Sequence, residues 1–139
     1  MKYFIDTNII IDLLKKDKEA QRKIKAILLE EDSEIYINRL VSMESLRTIH
    51  NQHTKKFREA KETLDSFEQQ ELTPKIYEQS IDFSRYCHSK GIRLKGRCEA
   101  IDFLHFMTAK YYNLKLVTND GDFNKLDMAY REYMMEKID

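Results

Sequence analysis

The chain has 139 residues, 42% hydrophobic and 35% charged, which suffices for a single domain (1–139) with its own core. Its 24 basic and 24 acidic residues cancel, so overall charge does not mark a general polyanion binder. No apolar stretch approaches the ~18 residues of a spanning helix, and no basic–apolar–small leader opens the sequence, so a soluble, cytoplasmic protein is expected.

Residues 2–6, Lys-Tyr-Phe-Ile-Asp, are a β-branched and aromatic run ending in an acid, and predict a short strand. A helix is expected at once, with Thr7 or Asn8 as N-cap and Ile9 to Leu14 as its body. A second helix is predicted over about 18–30, with Ala20, Ile24, Ile27 and Leu28 on one face. Residues 34–37 read as a strand, and 40–52 as a helix with the stripe Leu40, Met43, Leu46 and Ile49. A charged amphipathic helix over 54–70 carries Phe57, Ala60, Leu64 and Phe67; Leu72-Thr73 is a candidate strand before Pro74 opens a helix to about residue 89. A basic connector, residues 90–97, leads to a strongly apolar helix over about 98–112. Residues 114–118 are the clearest strand, ending in the turn Asn119-Asp120-Gly121-Asp122, and the tail from Phe123 is expected to be helical. Helices alternating with short strands predict an α/β/α sandwich around a small, mostly parallel sheet. Few glycines and one proline fit a helix-rich fold. Cys87 and Cys98 lack CxxC spacing and read as two reduced thiols.

The acids carry the functional signal. Asp6 closes the first strand and Asp120 follows the last by two residues, so both stand where ligands gather at the carboxyl edge of a parallel sheet. Each also has a structural reading, Asp6 as a helix cap and Asp120 as turn chemistry. Glu44 interrupts the otherwise neutral run Leu40 to Leu46 and could pair with Arg47, three residues on. Asp102 lies within an apolar helix, where an isolated carboxylate is costly unless paired, with Arg97 for instance, or coordinated to metal. Four converging carboxylates would form a hard-oxygen site for Mg²⁺ or Mn²⁺ and not for zinc. The fitting chemistry is phosphodiester hydrolysis, in which metal activates water and neutralises phosphate charge without a Ser, Cys or His nucleophile.

These residues resemble the PIN-domain nucleases, in particular the VapC-type toxin of VapBC toxin–antitoxin pairs. The matching pieces are the opening Phe4 to Leu14, the helix acid Glu44, Asp102 seven positions before Ala109, and the block Leu116 to Phe123. The resemblance implies metal-dependent endonucleolytic cleavage of RNA, homodimerisation, and inhibition by a cognate antitoxin. It implies that Asp6, Glu44, Asp102 and Asp120 are catalytic metal ligands, joined in the metal set by Asp122, at a position that carries the final acid in some members. It further implies that Asn8 and Thr118 orient the acids by hydrogen bonds. The chain departs from the family pattern at Asn38, Val41 and His105, and in its long helical tail.

Among weaker signals, Glu99 reads as a solvated or salt-bridged residue near Asp102, and His105 as a core or partner-facing histidine. Arg93, Lys95 and Arg97 of the connector, together with Lys90, are the first candidates for an RNA backbone contact; Lys15-Lys16 and Lys55-Lys56-Arg58 are alternatives. The alternative functions are an RNA-processing nuclease outside a toxin system and a PIN-fold binding module without activity. A haloacid-dehalogenase-type phosphatase would need an acid where Asn8 stands, and three glycines are too few for a phosphate-cradling loop.

Overall fold

The computed structural model describes residues 1–96 and 98–138. The chain divides into two compact units, each made of two segments: Met1–Glu71 with Leu114–Asn119, and Leu72–Asn113 with Asp120–Asp139. Among the described residues no helix is long and apolar enough to cross a membrane.

The first unit is built on a four-stranded parallel sheet. Its strands are β1 (Lys2–Ile5), β2 (Glu34–Ile37), β3 (Glu68–Gln69) and β4 (Lys115–Val117), in the order β3-β2-β1-β4. The register sets Tyr3 opposite both Ile35 and Lys115, and Ile5 opposite Val117. With a neighbour on each side, β1 buries Tyr3, Phe4 and Ile5 in succession, the continuous apolar run expected of an inner parallel strand. Parallel pairing requires crossovers, supplied by α1 (Thr7–Leu14) and α2 (Lys18–Leu28), then α3 (Arg39–Leu46) and α4 (Thr54–Asp65). The α/β class with a small parallel sheet is as predicted.

Several local expectations are corrected here. The cap of α1 is Asp6, the second of the two readings its sequence position allowed, and not Thr7 or Asn8; its Oδ1 accepts from the Thr7 amide at 2.8 Å. The third strand is Glu68–Gln69, not Leu72-Thr73, because α4 stops at Asp65 and frees residues 66–70. On α2, Ala20, Ile24 and Ile27 are buried as predicted, but Leu28 is exposed. Helix α3 is shorter than 40–52 and turns inward a different face. Asn38 caps it by accepting from the Val41 amide at 2.8 Å, which buries Val41 and Ser45 and leaves Met43 exposed.

The second unit, among its described residues, is helical: α5 (Pro74–Ser89), α6 (Glu99–Tyr111) and α7 (Asp122–Ile138). Phe83 of α5 is fully buried, with ring centroids 5.8 Å from Phe103, 5.6 Å from Phe106, 5.5 Å from Tyr130 and 5.1 Å from Tyr133. Tyr133 also donates to Asp82. The tyrosines of the tail thus belong to an aromatic core, consistent with the offset and edge-on packing such rings favour.

Candidate active site

In the first unit, the geometry around Asp6 is set by the end of β1. The backbone leaves the sheet after Ile5, with the Asp6 amide donating to the Val117 carbonyl at 3.0 Å, and turns directly into α1. This buries Asp6 while both of its carboxylate oxygens accept hydrogen bonds. Oδ1 takes the Thr7 amide, and Oδ2 takes the Thr118 hydroxyl at 2.9 Å. Thr118 stands at the end of β4, the strand paired with β1, so the sheet register delivers that hydroxyl. The Thr7 hydroxyl donates in turn to Glu44 Oε1 at 2.7 Å. Asp6 and Glu44 therefore share one intermediary. Thr7 was not singled out by sequence reasoning beyond its capping potential; its burial at the first helical position is the signal that sequence alone does not carry. Asn8 is exposed, and its side chain forms no hydrogen bond among the described residues.

In the second unit, Asp102 lies in the first turn of α6, partly exposed, while Phe103 through Ala109 are buried. The helix is as apolar as expected, but its acid sits at the N-terminal start and not within the core. At that position the helix dipole favours a carboxylate. Gly96 lies against it: a Cβ at Gly96 would stand 2.6 Å from Asp102 Oδ2. Sequence reasoning did not find Gly96. Asp120 Oδ1 accepts from the Asp122 amide at 2.9 Å, an Asx-type turn. Asp122 is buried; its Oδ2 accepts from the Lys95 amide at 2.8 Å, and Oδ1 lies 3.3 Å from Lys125 Nζ. The Lys95 amide, helped by the Lys125 ammonium, holds the Asp122 carboxyl below the usual carboxylate range.

Glu99 is salt-bridged, as expected. Its Oε2 accepts from the Leu94 amide at 2.7 Å, Arg93 Nε lies 3.2 Å away, and His88 Nε2 lies 3.2 Å from Oε1. The Leu94 amide, then Arg93 and His88, lower the Glu99 carboxyl. Arg93 is thus engaged by a neighbour on its own unit, and Lys90 pairs with Glu136 at 3.7 Å. Lys95 makes no ion pair among the described residues, and Arg97 lies outside them. His105 is buried in α6.

A groove of about 610 Å³ also belongs to the first unit. Leu13, Leu14, Ile24 and Phe67 contribute apolar lining, and Lys15, Lys16 and Lys56 contribute cations. An adjoining polar hollow brings Lys16 of the α1 terminus together with His53, Lys55 and Lys56 at the start of α4. These four lysines form no ion pair among the described residues.

The oxygen-only donor set, hydroxyl- and amide-braced carboxylates, is the hard-ligand chemistry that Mg²⁺ or Mn²⁺ accepts. Within neither unit do three His, Cys, Asp or Glu side chains gather into a metal-holding group among the described residues. The PIN domain family matches residues 3–128, a span that takes in Asp6, Glu44, Asp102 and Asp120. The chain belongs to the PIN domain family.

Solved structures with the PIN fold cover nearly all of the chain. VapBC2 from Rickettsia felis, bound to a DNA fragment from their promoter, is 21% identical with a TM-score of 0.72, covering 90% of this chain and 92% of that one. VapBC-1 from nontypeable Haemophilus influenzae is 20% identical with a TM-score of 0.69, covering 91% and 93%. A toxin–antitoxin complex from Klebsiella pneumoniae is 23% identical with a TM-score of 0.65, covering 87% and 89%. At these identities the likeness concerns the fold. No curated protein matches the chain by sequence.

Proposed function

We propose that this single-domain protein is a divalent-metal-dependent endoribonuclease, the toxin of a toxin–antitoxin pair, working in the cytoplasm. The observation that carries the reading is Thr7 bracing both Asp6 and Glu44, within a chain whose family match spans all four acids. Asp6, Glu44, Asp102 and Asp120 would hold Mg²⁺ or Mn²⁺. The cation supplies charge neutralisation at the phosphate and activation of the attacking water. The protein's part is orientation: Thr118 and the Thr7 amide direct the two oxygens of Asp6, and the Thr7 hydroxyl directs Glu44. Such bracing of ligands by neighbouring donors is a common requirement of metal sites.

With zero net charge, the RNA needs local cations. Lys95 and Arg97 of the connector suit that role, more than Arg93, which Glu99 engages. The lysines gathered at residues 15, 16, 55 and 56 add a second basic surface in the first unit. The antitoxin belongs to the same reading, because the solved neighbours are toxin–antitoxin complexes. The apolar groove with its lysine rim fits an amphipathic segment bearing acidic side chains, and we assign that partner to it. Homodimerisation is part of the same proposal, supported by the family resemblance alone.

The test is cleavage of labelled RNAs with Mg²⁺, with Mn²⁺ and with chelator, for the wild type, Asp6→Ala and Asp102→Ala. Metal-dependent cleavage lost in both variants supports the assignment. Cleavage that survives chelator, or survives in both variants, sinks it.

A further inference from the structure

The connector between α5 and α6 reaches the acids of the second unit through its backbone. Lys95 donates its amide to Asp122 Oδ2 at 2.8 Å, and the next residue, Gly96, leaves open the space that Asp102 Oδ2 occupies. Gly96 has no left-handed φ to explain its presence, whereas a Cβ there would meet the Asp102 carboxylate at 2.6 Å. A side chain at residue 96 would have to displace the end of the Asp102 side chain. Asp122 holds the connector at its penultimate link before this contact, and its own amide turns Asp120 through the 2.9 Å bond to Oδ1. The other oxygen of Asp122 faces Lys125 at 3.3 Å. Both oxygens of this buried carboxylate thus have cationic or amide partners from the chain itself.

We propose that Asp122 is a positioning residue and not a metal ligand. It clamps the connector at Lys95 so that Gly96 stands beside the Asp102 carboxylate and leaves it space, while its amide sets the rotation of Asp120. The inference rests on the reading of Asp102 and Asp120 as metal ligands, and it moves Asp122 out of that set. A carboxylate that serves as a ligand needs its charge; a clamp needs only an acceptor oxygen aimed at the Lys95 amide. Asparagine supplies that oxygen without the charge.

The two roles separate in a series read by Mn²⁺ binding calorimetry and, on metal-free protein, by amide hydrogen exchange at Lys95. Asp122→Ala is expected to lose protection at Lys95 and to bind Mn²⁺ about tenfold more weakly or worse, as when an outer-shell partner is removed. Asp122→Asn is expected to restore the Lys95 protection and to bring Mn²⁺ affinity back to within about threefold of wild type, the scale of one altered hydrogen bond. Gly96→Ala should weaken Mn²⁺ binding with Lys95 protection retained. Gly121→Ala is the control, since a Cβ there meets nothing within 4 Å. Asp122→Asn binding Mn²⁺ as weakly as Asp102→Ala would overturn the proposal, as would Lys95 exchange unchanged in Asp122→Ala. Should Asp122→Ala fail to fold, Asp122→Asn against Gly96→Ala still decides. Failure of the underlying function reading looks different: Asp102→Ala then binds Mn²⁺ like wild type, while the Lys95 exchange pattern still reports the clamp.

Discussion

The Thr7 hydroxyl donates to Glu44 Oε1 at 2.7 Å, linking the first residue of α1 to an acid on α3 across 37 positions of sequence. Because the Thr7 amide also holds Asp6, one residue couples the orientation of two candidate ligands. Thr7→Val should reduce RNA cleavage by roughly ten- to hundredfold, the usual consequence of removing a bond that orients a metal-binding carboxylate. The fold should lose only about 1 kcal/mol, the net worth of one hydrogen bond. Thr7→Ser restores the hydroxyl and should recover most of the activity. Initial cleavage rates beside thermal melts check both points; equal rates for the serine and valine variants would refute the bracing role.

Asp6 combines a cap and a candidate ligand, and two substitutions separate these duties. Asp6→Asn keeps a side-chain oxygen for the Thr7 amide and should melt near the wild type, yet lose cleavage. Asp6→Ala loses the cap as well and should cost about 1 kcal/mol more. Chemical denaturation of the metal-free proteins measures the difference.

Acid should destabilise the second unit's α6 entry. The Glu99 carboxyl is held low by the Leu94 amide, then by Arg93 and His88, so its folded value lies below its unfolded one near ~4.3. A depressed carboxyl contributes stability above its unfolded value, and loses it as pH falls through the folded value. Melting temperature should therefore drop on acidification below about pH 4–5, and Glu99→Gln should flatten that part of the curve. An unchanged profile in Glu99→Gln would show that other groups govern the acid limb.

The two thiols should separate by reactivity. Cys98 is exposed, whereas Cys87 is buried in α5 and its thiol is pushed up to about 11 by burial. Alkylation near neutral pH should label Cys98 alone, with Cys87 reacting only in denaturant, because the thiolate is the nucleophile. Peptide mass mapping reads the sites.

Lys16 ends α1 with φ 64°, where its amide reaches the Leu13 carbonyl at 3.0 Å and the Asp17 amide reaches Asp12 at 3.0 Å. Glycine is the usual occupant of such a helix end, since other residues strain there. Lys16→Gly should stabilise the fold by about 0.5–1 kcal/mol while weakening whatever anionic partner uses the groove. Denaturation midpoints and partner titration at two salt concentrations test the two halves.

Much of this was legible in the sequence because it depends on local pattern. The strand at residues 34–37, the helix over 74–89 and the strand near 115–117 follow from β-branched runs, a proline start and the turn after Thr118. The inward face of α3 was not, because its stripe of Leu40, Met43 and Leu46 is outweighed by where Asn38 starts the helix. The acids drew attention as charges in unexpected places. Thr7 and Gly96 did not, since a hydroxyl's partner 37 positions away, or the missing Cβ beside Asp102, exists only once the chain is folded.

The sheet ends at β3 and β4, strands of two and three residues, and both residues of β3 are exposed, a glutamate and a glutamine. An incoming strand would find few free amides and carbonyls there, and a charge beside them, the pattern by which natural sheets discourage edge-to-edge growth. Copies of this protein that crowd together thus have little means of extending the sheet from one molecule to the next. Partners then engage helices and grooves, which keeps recognition dependent on side chains and works against fibrous self-association.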